Sequence, residues 1–276
     1  MGERFELVTL RNGFRAIRER ASGEIMHPSV GPWAEARQLY VEQTRLAERL
    51  QTPPFDEPLR VYDVGLGGAA NASAALACWA SLPSGTRRPL ELVSFEIDLE
   101  PLKLAVTDPE GFPFLAPWSE AVHALLDSGS WSAEGVRWTL LHGEFLAQLT
   151  EAPAGPEIIF FDPFSPETNT PLWSEEAFAA LRSKCRDDAR GSLLVTYSAS
   201  TRTRVAMLLG GFDVGVGDAI GTKKETTAAA TSRTLLSRPL GEAWALRWRR
   251  SSSRTPWGTE ALTAEMEARV EAALRR

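Results

Sequence analysis

The stretch that decides the fold is IIFFDPFSP, residues 158–166, where four apolar residues run into an aspartate and two prolines. A short continuous apolar run is typical of a strand buried on both faces of a sheet. Proline has no backbone N–H to give to a neighbouring strand, so the strand is expected to end at Asp162. The pattern therefore predicts that Asp162, Pro163 and Phe164 lie at the carboxyl edge of a buried strand, where open α/β sheets bind their ligands.

Strand-like and helix-like segments alternate on both sides of this stretch. Strands are predicted at 59–64, 90–95, 136–142, 157–161 and 192–197, with further candidates at 212–216 and 234–236. Helices are predicted at 33–50, 69–80, 119–126, 145–150, 175–185, 201–209 and 259–275. Such alternation predicts an α/β, Rossmann-like fold with a doubly wound, mostly parallel sheet. We expect an N-terminal helical extension (1–57), the α/β domain (58–255) and a C-terminal helix (256–276).

The composition of the 276 residues is that of a globular protein, with 43% hydrophobic and 24% charged residues. No apolar run approaches the length of a membrane span, and the charged segment 1–20 lacks the apolar core of a signal peptide. The two cysteines, Cys78 and Cys185, lie far apart, which indicates reduced thiols in a cytoplasmic protein. With three histidines and no Cys/His pair at ligand spacing, we expect no metal site and no membrane partner.

The charge is unevenly spread along the chain. The net charge of -6 argues against a general polyanion binder. Residues 176–255, however, carry 14 Lys or Arg and 7 Asp or Glu. Such a segment can bind phosphates, and it can equally be a solvated helical surface, so both interpretations stay open.

The first turn between a strand and a helix reads VYDVGLGGAAN, residues 61–71. Gly65 and Gly67 allow a tight turn and a close approach of the backbone to a ligand. The turn also fits the dinucleotide fingerprint ending in alanine, so the glycines alone do not distinguish NAD from S-adenosylmethionine (SAM). Asp63, two positions before Gly65, favours SAM, because a methyltransferase first motif typically has an acidic residue there.

Two further strand ends carry acidic residues. Glu96 follows the second strand, where a carboxylate can accept both ribose hydroxyls of a nucleotide cofactor; the alternative is a surface carboxylate. Gly143 and Glu144 follow the third strand, and Glu144 is a candidate for the adenine amino group. Its alternative role is that of a helix N-terminal carboxylate favoured by the helix dipole.

With acidic residues at four successive strand ends, the chain resembles class I SAM-dependent methyltransferases. The stretch DPFSPETNTPLW, residues 162–173, is similar to the D-x-F-x-P-x-x-N-P-x-x-W signature of MnmC-type tRNA methyltransferases. Asn71, GTKKE at 221–225 and HPSVGPWAE at 27–35 also resemble that family, over about residues 25–240. The chain departs from the pattern at Thr170, which separates the Asn from the Pro, and at Ala69, which replaces a glycine.

The resemblance implies SAM as the cofactor and methylation of the aminomethyl group of a modified wobble uridine in a tRNA anticodon loop. It implies a methyltransferase without the FAD oxidase domain of two-domain members, so that upstream uridine-modifying enzymes supply the substrate. The candidate site residues are, for the cofactor, Asp63, Gly65, Gly67, Asn71, Glu96, Gly143 and Glu144; for catalysis, Asp162, Pro163 and Phe164; and for the substrate, Trp173, Tyr197, Lys223 and Lys224.

Other functions stay open from the sequence. An N-methyltransferase of a small amine needs the same cofactor and clamp but no basic surface. A non-catalytic SAM- or nucleotide-binding module would keep the fold, although acids at all four strand ends speak against it. An NAD-dependent dehydrogenase is the least supported, because no Tyr-x-x-x-Lys or comparable hydride-transfer set is found.

Overall fold

The core of the molecule is one eight-stranded sheet in a computed structural model that describes residues 4–27 and 30–275. Its strand order is β5-β6-β4-β3-β7-β8-β10-β9. The strands are β3 (Leu59–Val64), β4 (Leu90–Glu96), β5 (Ser130–Ala133), β6 (Val136–His142), β7 (Ile158–Phe161), β8 (Leu193–Thr196), β9 (Asp213–Gly217) and β10 (Thr226–Ala230).

The five central strands, β6, β4, β3, β7 and β8, are parallel. Strand β10 pairs antiparallel with β8 and β9, and β5 pairs antiparallel with β6. The predicted Rossmann-like, mostly parallel sheet is therefore confirmed. The chain runs outward from β3 to β4 and β6, then returns to place β7 on the other side of β3. This reversal opens a crevice at the carboxyl ends of β3 and β7, where such sheets bind ligands.

Helices cover both faces of the sheet. On one face lie α3 (Ala70–Ser81), α4 (Glu100–Thr107) and α5 (Ser119–Ser128), together with the N-terminal helices. On the other face lie α6 (Phe145–Glu151), α7 (Glu175–Lys184), α8 (Thr201–Leu209), α9 (Glu242–Arg249) and α10 (Ala264–Arg275).

Strand β7 shows how the sheet divides the core. Ile158 and Phe160 pack into the hydrophobic cluster on one face, and Ile159 and Phe161 pack into the cluster on the other. All four residues are buried, as the unbroken apolar run predicts.

The N-terminal extension differs from the predicted helical one. It begins with a hairpin of β1 (Phe5–Thr9) and β2 (Arg15–Glu19), which the sequence analysis missed. These strands are short and carry cross-strand ion pairs such as Arg18 with Glu6, so they lack a clear apolar stripe. A five-residue strand that is charged on one side gives a weak periodic signal.

The single helix predicted at 33–50 is broken into three pieces. These are α1 (Pro32–Glu35), a π-helical segment (Ala36–Glu42) and α2 (Leu46–Leu50). Arg45 has φ of 56°, a left-handed conformation that interrupts the helix. π-Helical turns are rare and frequently occur at functional sites.

Several further expectations from the sequence are corrected. The strand predicted at 234–236 is wrong, because this stretch is a 3-10 turn at Arg233–Leu235. The strand in this part of the chain lies earlier and is β10. Its TTAAA sequence does not predict a strand, because alanine disfavours strands. Strand β5 and helices α4 and α9 were also missed, and the last helix begins at Ala264. Within the described residues, no helix is long and apolar enough to cross a membrane.

Candidate active site

A cavity of about 670 Å³ opens at the carboxyl edge of the parallel strands. The turns after β3, β4, β6, β7 and β8 all contribute to its walls, and so do the segments 23–27 and 220–223. Ten candidate residues line it: Gly65, Gly67, Glu96, Gly143, Glu144, Asp162, Pro163, Phe164, Tyr197 and Lys223. The cavity therefore lies at the edge of the sheet where the sequence predicted the site.

The turn after β3 lies directly against the turn after β7. Gly65 has φ of 90°, and a Cβ atom placed there would lie 2.5 Å from the backbone oxygen of Asp162. Only glycine tolerates both the left-handed conformation and this close approach. Ala69 also has a positive φ, 60°, at the position where the sequence departs from the family pattern.

The carboxylate of Glu96 connects the turns after β3 and β4. Its oxygens accept hydrogen bonds from the backbone N–H of Gly67 (2.8 Å), Ile97 (2.9 Å) and Asp98 (3.0 Å). Burial raises the pKa of Glu96 despite these bonds. A carboxylate has about four lone-pair positions, so Glu96 can still accept from a ligand.

Gly143 and Glu144 lie at the start of α6. The Gly143 N–H donates to the backbone oxygen of Glu96 at 2.8 Å. Glu144 is the N-cap of α6, and its carboxylate accepts from the Ala147 N–H at 3.0 Å. The helix-capping alternative for Glu144 is thus observed, while the residue also lines the cavity.

Asp162 lines the cavity directly after the end of β7. Its Oδ2 accepts a hydrogen bond from Asn71 Nδ2 at 2.8 Å. Burial raises the pKa of Asp162 to about 6; the charge of His27 lowers it and that of Glu35 raises it. A carboxyl group with this pKa changes protonation state near neutral pH.

Comparison with known proteins identifies the class of enzyme to which the chain belongs. Residues 115–232 match the family described as S-adenosyl-L-methionine-dependent methyltransferase. The chain is a SAM-dependent methyltransferase. It is related to the bifunctional protein MnmC of tRNA 5-methylaminomethyl-2-thiouridine biosynthesis. The Pseudomonas fluorescens protein is 30% identical over 250 residues, covering 83% of this chain and 37% of that protein.

Two further comparisons agree. The MnmC of Pseudomonas aeruginosa UCBPP-PA14 is 29% identical over 218 residues, covering 75% of this methyltransferase and 32% of that protein. The methyltransferase thus spans about a third of the length of these curated relatives. The crystal structure of MnmC2 from Aquifex aeolicus has a TM-score of 0.73 and 24% identity, covering 98% of this chain and 84% of that one, which shows a shared fold.

The cavity of the methyltransferase fits SAM. Its volume lies within the roughly 300–1,000 Å³ range of small-molecule sites. Gly65 and Gly67 keep the turn after β3 free of side chains, and the 12-residue helix α3 follows it. Carboxylates from Glu96 and Glu144 stand at the same edge, where they can accept hydrogen bonds from hydroxyl and amino groups.

Asp63 and Asn71 lie behind the cavity wall. Asp63 is fully buried, and its Oδ2 accepts from the Ser94 hydroxyl at 2.8 Å. Burial raises the pKa of Asp63 to about 8. Its Oδ1 has no hydrogen-bond partner within the described residues. Asn71 acts on the cavity through Asp162.

The candidate substrate residues divide into two groups. Lys223 and Tyr197 line the cavity, and the Lys223 ammonium lies 4.4 Å from the Tyr197 ring centre. Trp173 is instead fully buried, and its indole N–H donates to the Phe164 backbone oxygen at 2.8 Å. Lys224 does not line the cavity. The structure thus assigns Trp173 to the support of the loop after β7, which corrects its expected place beside the substrate.

Three residues near Asp162 were missed as functional groups. His27 Nε2 lies 3.8 Å from Asp162 Oδ2, and His27 Nδ1 lies 3.5 Å from Glu35 Oε1. Tyr40, in the π-helical segment, has a buried hydroxyl that faces the Asp162 carboxylate. Burial and the charge of Asp162 raise the pKa of Tyr40. His27 and Glu35 lie in the HPSVGPWAE stretch, whose family resemblance was the available signal. Pro28 and Ser29 of that stretch lie outside the described residues.

No group of three or more His, Cys, Asp or Glu side chains in residues 4–27 and 30–275 could hold a metal ion.

Proposed function

We propose that this methyltransferase N-methylates the aminomethyl group of a modified wobble uridine in the anticodon loop of tRNA. The observation that carries the proposal is the buried Asp162 carboxylate, which is held by Asn71 and packed against the glycine turn after β3. The name of the MnmC relatives supplies the class of acceptor. A cytoplasmic location and upstream enzymes that make the aminomethyl uridine belong to the same proposal.

The acceptor amine must be neutral before it can attack. For an alkylamine with a pKa like that of lysine, losing the proton costs about 4–5 kcal/mol at pH 7. In our proposal Asp162 orients the amine by a hydrogen bond and stabilises the positive charge that develops on nitrogen. The raised pKa of Asp162, about 6, makes it a better transient proton acceptor than an exposed aspartate.

Pro163 and Phe164 complete the acceptor side, by which we mean the part of the cavity beside Asp162 that would hold the amine. The Pro163 carbonyl accepts a weak hydrogen bond from the Tyr197 hydroxyl at 3.3 Å, which leaves a lone pair for a second amine hydrogen. Phe164 stacks on Phe5 of the hairpin, with ring centres 6.0 Å apart, so its ring is held in place. We infer that this ring excludes water from the reacting atoms.

The residues that would hold the cofactor are Gly65, Gly67, Glu96, Gly143 and Glu144, with Asp63 behind them. SAM supplies a methyl group bound to a positively charged sulfur. The C–N bond forms as the C–S bond breaks, and the electron pair of the broken bond stays on sulfur. The protein contributes orientation and the exclusion of water.

The acceptor base has a route to the cavity. A wobble base is unpaired and can turn into a pocket at modest cost. Lys223 stands at the cavity wall beside Tyr197, to whose backbone oxygen its ammonium donates at 3.0 Å. Lys224 is its exposed neighbour. In our proposal these two lysines bind phosphates of the anticodon loop.

A small-molecule amine is the second candidate acceptor, and the pairing of the basic residues favours it. Arg186 and Arg190 both bind Glu57, at 2.9 and 2.7 Å, and Arg249 binds Glu271 at 2.9 Å. Much of the positive surplus in residues 176–255 is thus neutralised by carboxylates. A small amine would not need a basic surface.

The test supplies labelled SAM with bulk tRNA from cells lacking this gene and, in parallel, with a pool of small amines. Label in a wobble-uridine nucleoside supports the tRNA function. Label only in small amines supports the second candidate. SAM binding without transfer to any acceptor would contradict both.

The clamp is tested with Asp162→Asn, which keeps the shape of the side chain and removes its charge. We expect kcat to fall by about 100-fold to 1,000-fold, as for the loss of a charge-stabilising group, with SAM affinity nearly unchanged. Asp188→Asn is the matched control, because Asp188 binds Arg186 away from the cavity. Normal turnover by Asp162→Asn would show that the clamp is assigned wrongly.

A further inference from the structure

A buried histidine lies between the two carboxylates of the acceptor side. Glu35 Oε1 is 3.5 Å from His27 Nδ1, and Asp162 Oδ2 is 3.8 Å from His27 Nε2. The His27 side chain is 14% exposed, and its backbone has φ of 53°, an uncommon conformation for a non-glycine residue. Both separations are ion-pair distances, and within the described residues Nδ1 has no hydrogen-bond partner.

The charges around His27 come from several elements. Glu35 belongs to α1, Asp162 follows β7, and Lys223 precedes β10. Tyr40, Asp63 and Tyr197 also face the cluster, with Glu24 and Glu167 beyond Tyr197 and Glu96 beyond Asp63. Burial raises the pKa of the two tyrosines and of Asp63, so these three groups are uncharged at neutral pH.

At neutral pH the charges of His27, Lys223, Glu35 and Asp162 therefore balance one another. Burial lowers the pKa of His27, but Glu35 and Asp162 outweigh this effect and raise it to about 9. Two carboxylates, Glu35 and Asp162, then face two cations, His27 and Lys223. Because the imidazole already carries its second proton, it is not the group that takes a proton from the amine.

We propose that His27 is a positioning residue whose imidazolium cancels one carboxylate charge, so that the acceptor amine binds Asp162 in its neutral, nucleophilic form. This inference rests on the proposed function. Without His27, two carboxylates would face the amine and stabilise its ammonium form, which has no lone pair for attack. The proton that the ammonium loses goes to water, and His27 keeps its own proton throughout.

Methyl transfer itself does not oppose this arrangement. It moves one positive charge within the cavity and leaves the total unchanged, whereas binding an ammonium adds a positive charge. A balanced cluster thus disfavours binding of the ammonium form of the acceptor, and it raises the barrier to methyl transfer less. The carboxylate of Asp162 remains next to the nitrogen, where positive charge develops.

The first measurement follows His27 by NMR titration of the free protein. The chain has three histidines, so the His27 signal is assigned by its absence from His27→Gln. We expect a midpoint well above the ordinary value of about 6.5 and a lower midpoint in Glu35→Gln. A wild-type midpoint at or below 6.5 overturns the inference.

The second measurement is the pH profile of kcat at saturating SAM, with aminomethyl-uridine tRNA as the acceptor. In His27→Gln the acidic limb is expected to move up by about 1–3 pH units, the usual effect of a charge at this distance. The rate should recover at high pH, where the amine is neutral in any case. A uniform loss of rate with no shift indicates a purely structural role and overturns the inference.

Glu35→Gln is the matched variant, because it removes a negative charge instead of a positive one. Its acidic limb should stay in place or move to lower pH. Upward shifts in both variants overturn the inference, since opposite charge changes cannot act alike through electrostatics. SAM binding by both variants shows that they are folded. A wild type that methylates no amine fails the proposed function, whereas an active wild type with an unshifted His27→Gln profile fails this inference alone.

Discussion

Replacing Trp173 with phenylalanine tests whether this residue supports the loop after β7 or contacts the substrate. The indole N–H donates to the Phe164 backbone oxygen at 2.8 Å, and its ring packs edge-on against Phe161 (5.1 Å) and Tyr197 (5.9 Å). Phenylalanine keeps most of the ring packing and removes the donor. Leaving a largely buried carbonyl without its partner costs about 1–3 kcal/mol of unfolding free energy.

For a domain of this size, each kcal/mol lowers Tm by about 2–4 °C. We therefore expect Trp173→Phe to melt about 2–12 °C below the wild type. Turnover should fall as well, because the Phe164 backbone is no longer anchored, while the affinity for SAM stays close to normal. Thermal denaturation, kcat and SAM titration measure these three quantities separately.

Trp131→Phe is the control for the change of ring, because Trp131 lies half-buried on the edge strand β5, outside the cavity lining. The substrate-contact interpretation of Trp173 makes the opposite prediction. A Trp173→Phe protein with wild-type Tm and a raised KM for the acceptor would refute the supporting role.

Three other substitutions examine separate parts of the structure. Gly65→Ala would place a Cβ atom 2.5 Å from the Asp162 backbone oxygen. We expect it to lower the free energy of unfolding by more than the roughly 1–2 kcal/mol of a left-handed residue, and to weaken SAM binding. Unchanged denaturant and SAM titrations would contradict this. The raised pKa of Asp63, about 8, means that the folded state holds this proton more tightly than the unfolded state. Compared with Asp63→Asn, the wild type should thus lose stability as the pH rises from about 4 to about 8. A Tm difference between the two proteins that is the same at pH 5 and at pH 8.5 would argue against this prediction. Glu157→Gln breaks an ion pair with Arg88 in which both side chains are at most 2% exposed. We expect chemical denaturation to show a free energy of unfolding lowered by about 3–5 kcal/mol. A decrease below 1 kcal/mol would count against this account.

The edge of the sheet that carries the site was predictable because parallel strands end on the same side. Each of four strands is followed by, or ends in, an acidic residue: Asp63, Glu96, Glu144 and Asp162. The succession of strands along the sequence was therefore enough to predict that these residues lie at one edge of the sheet. What the sequence did not distinguish was depth. Asp63 is sealed beneath the cavity wall, whereas Glu96 borders the cavity.

Contacts between distant segments were not predictable in the same way. Glu24 binds the Ser165 N–H at 2.7 Å and the Ser165 hydroxyl at 2.9 Å, a contact that spans 141 residues. The charged hairpin β1–β2 has little periodicity, so nothing in the sequence indicated that it packs on the loop after β7. A signature tryptophan likewise does not reveal whether its ring faces a ligand or the core, which explains the misplaced Trp173.

These long-range contacts tie the N-terminal segment to the loop after β7. Glu24 holds the loop after β7, Phe5 stacks on Phe164, and His27 stands beside Asp162. The turn after β3 meets the same loop at Gly65, so the parts of the cavity that we propose for the cofactor and for the acceptor share one backbone contact. The N-terminal segment also reaches the turn after β3, because a Cβ atom at Gly67 would lie 3.2 Å from the Met26 sulfur. Glu24 and His27, however, contact the loop after β7, so we expect their replacement to alter turnover more than the affinity for SAM. Gly65 lies on both sides, and its replacement should alter both.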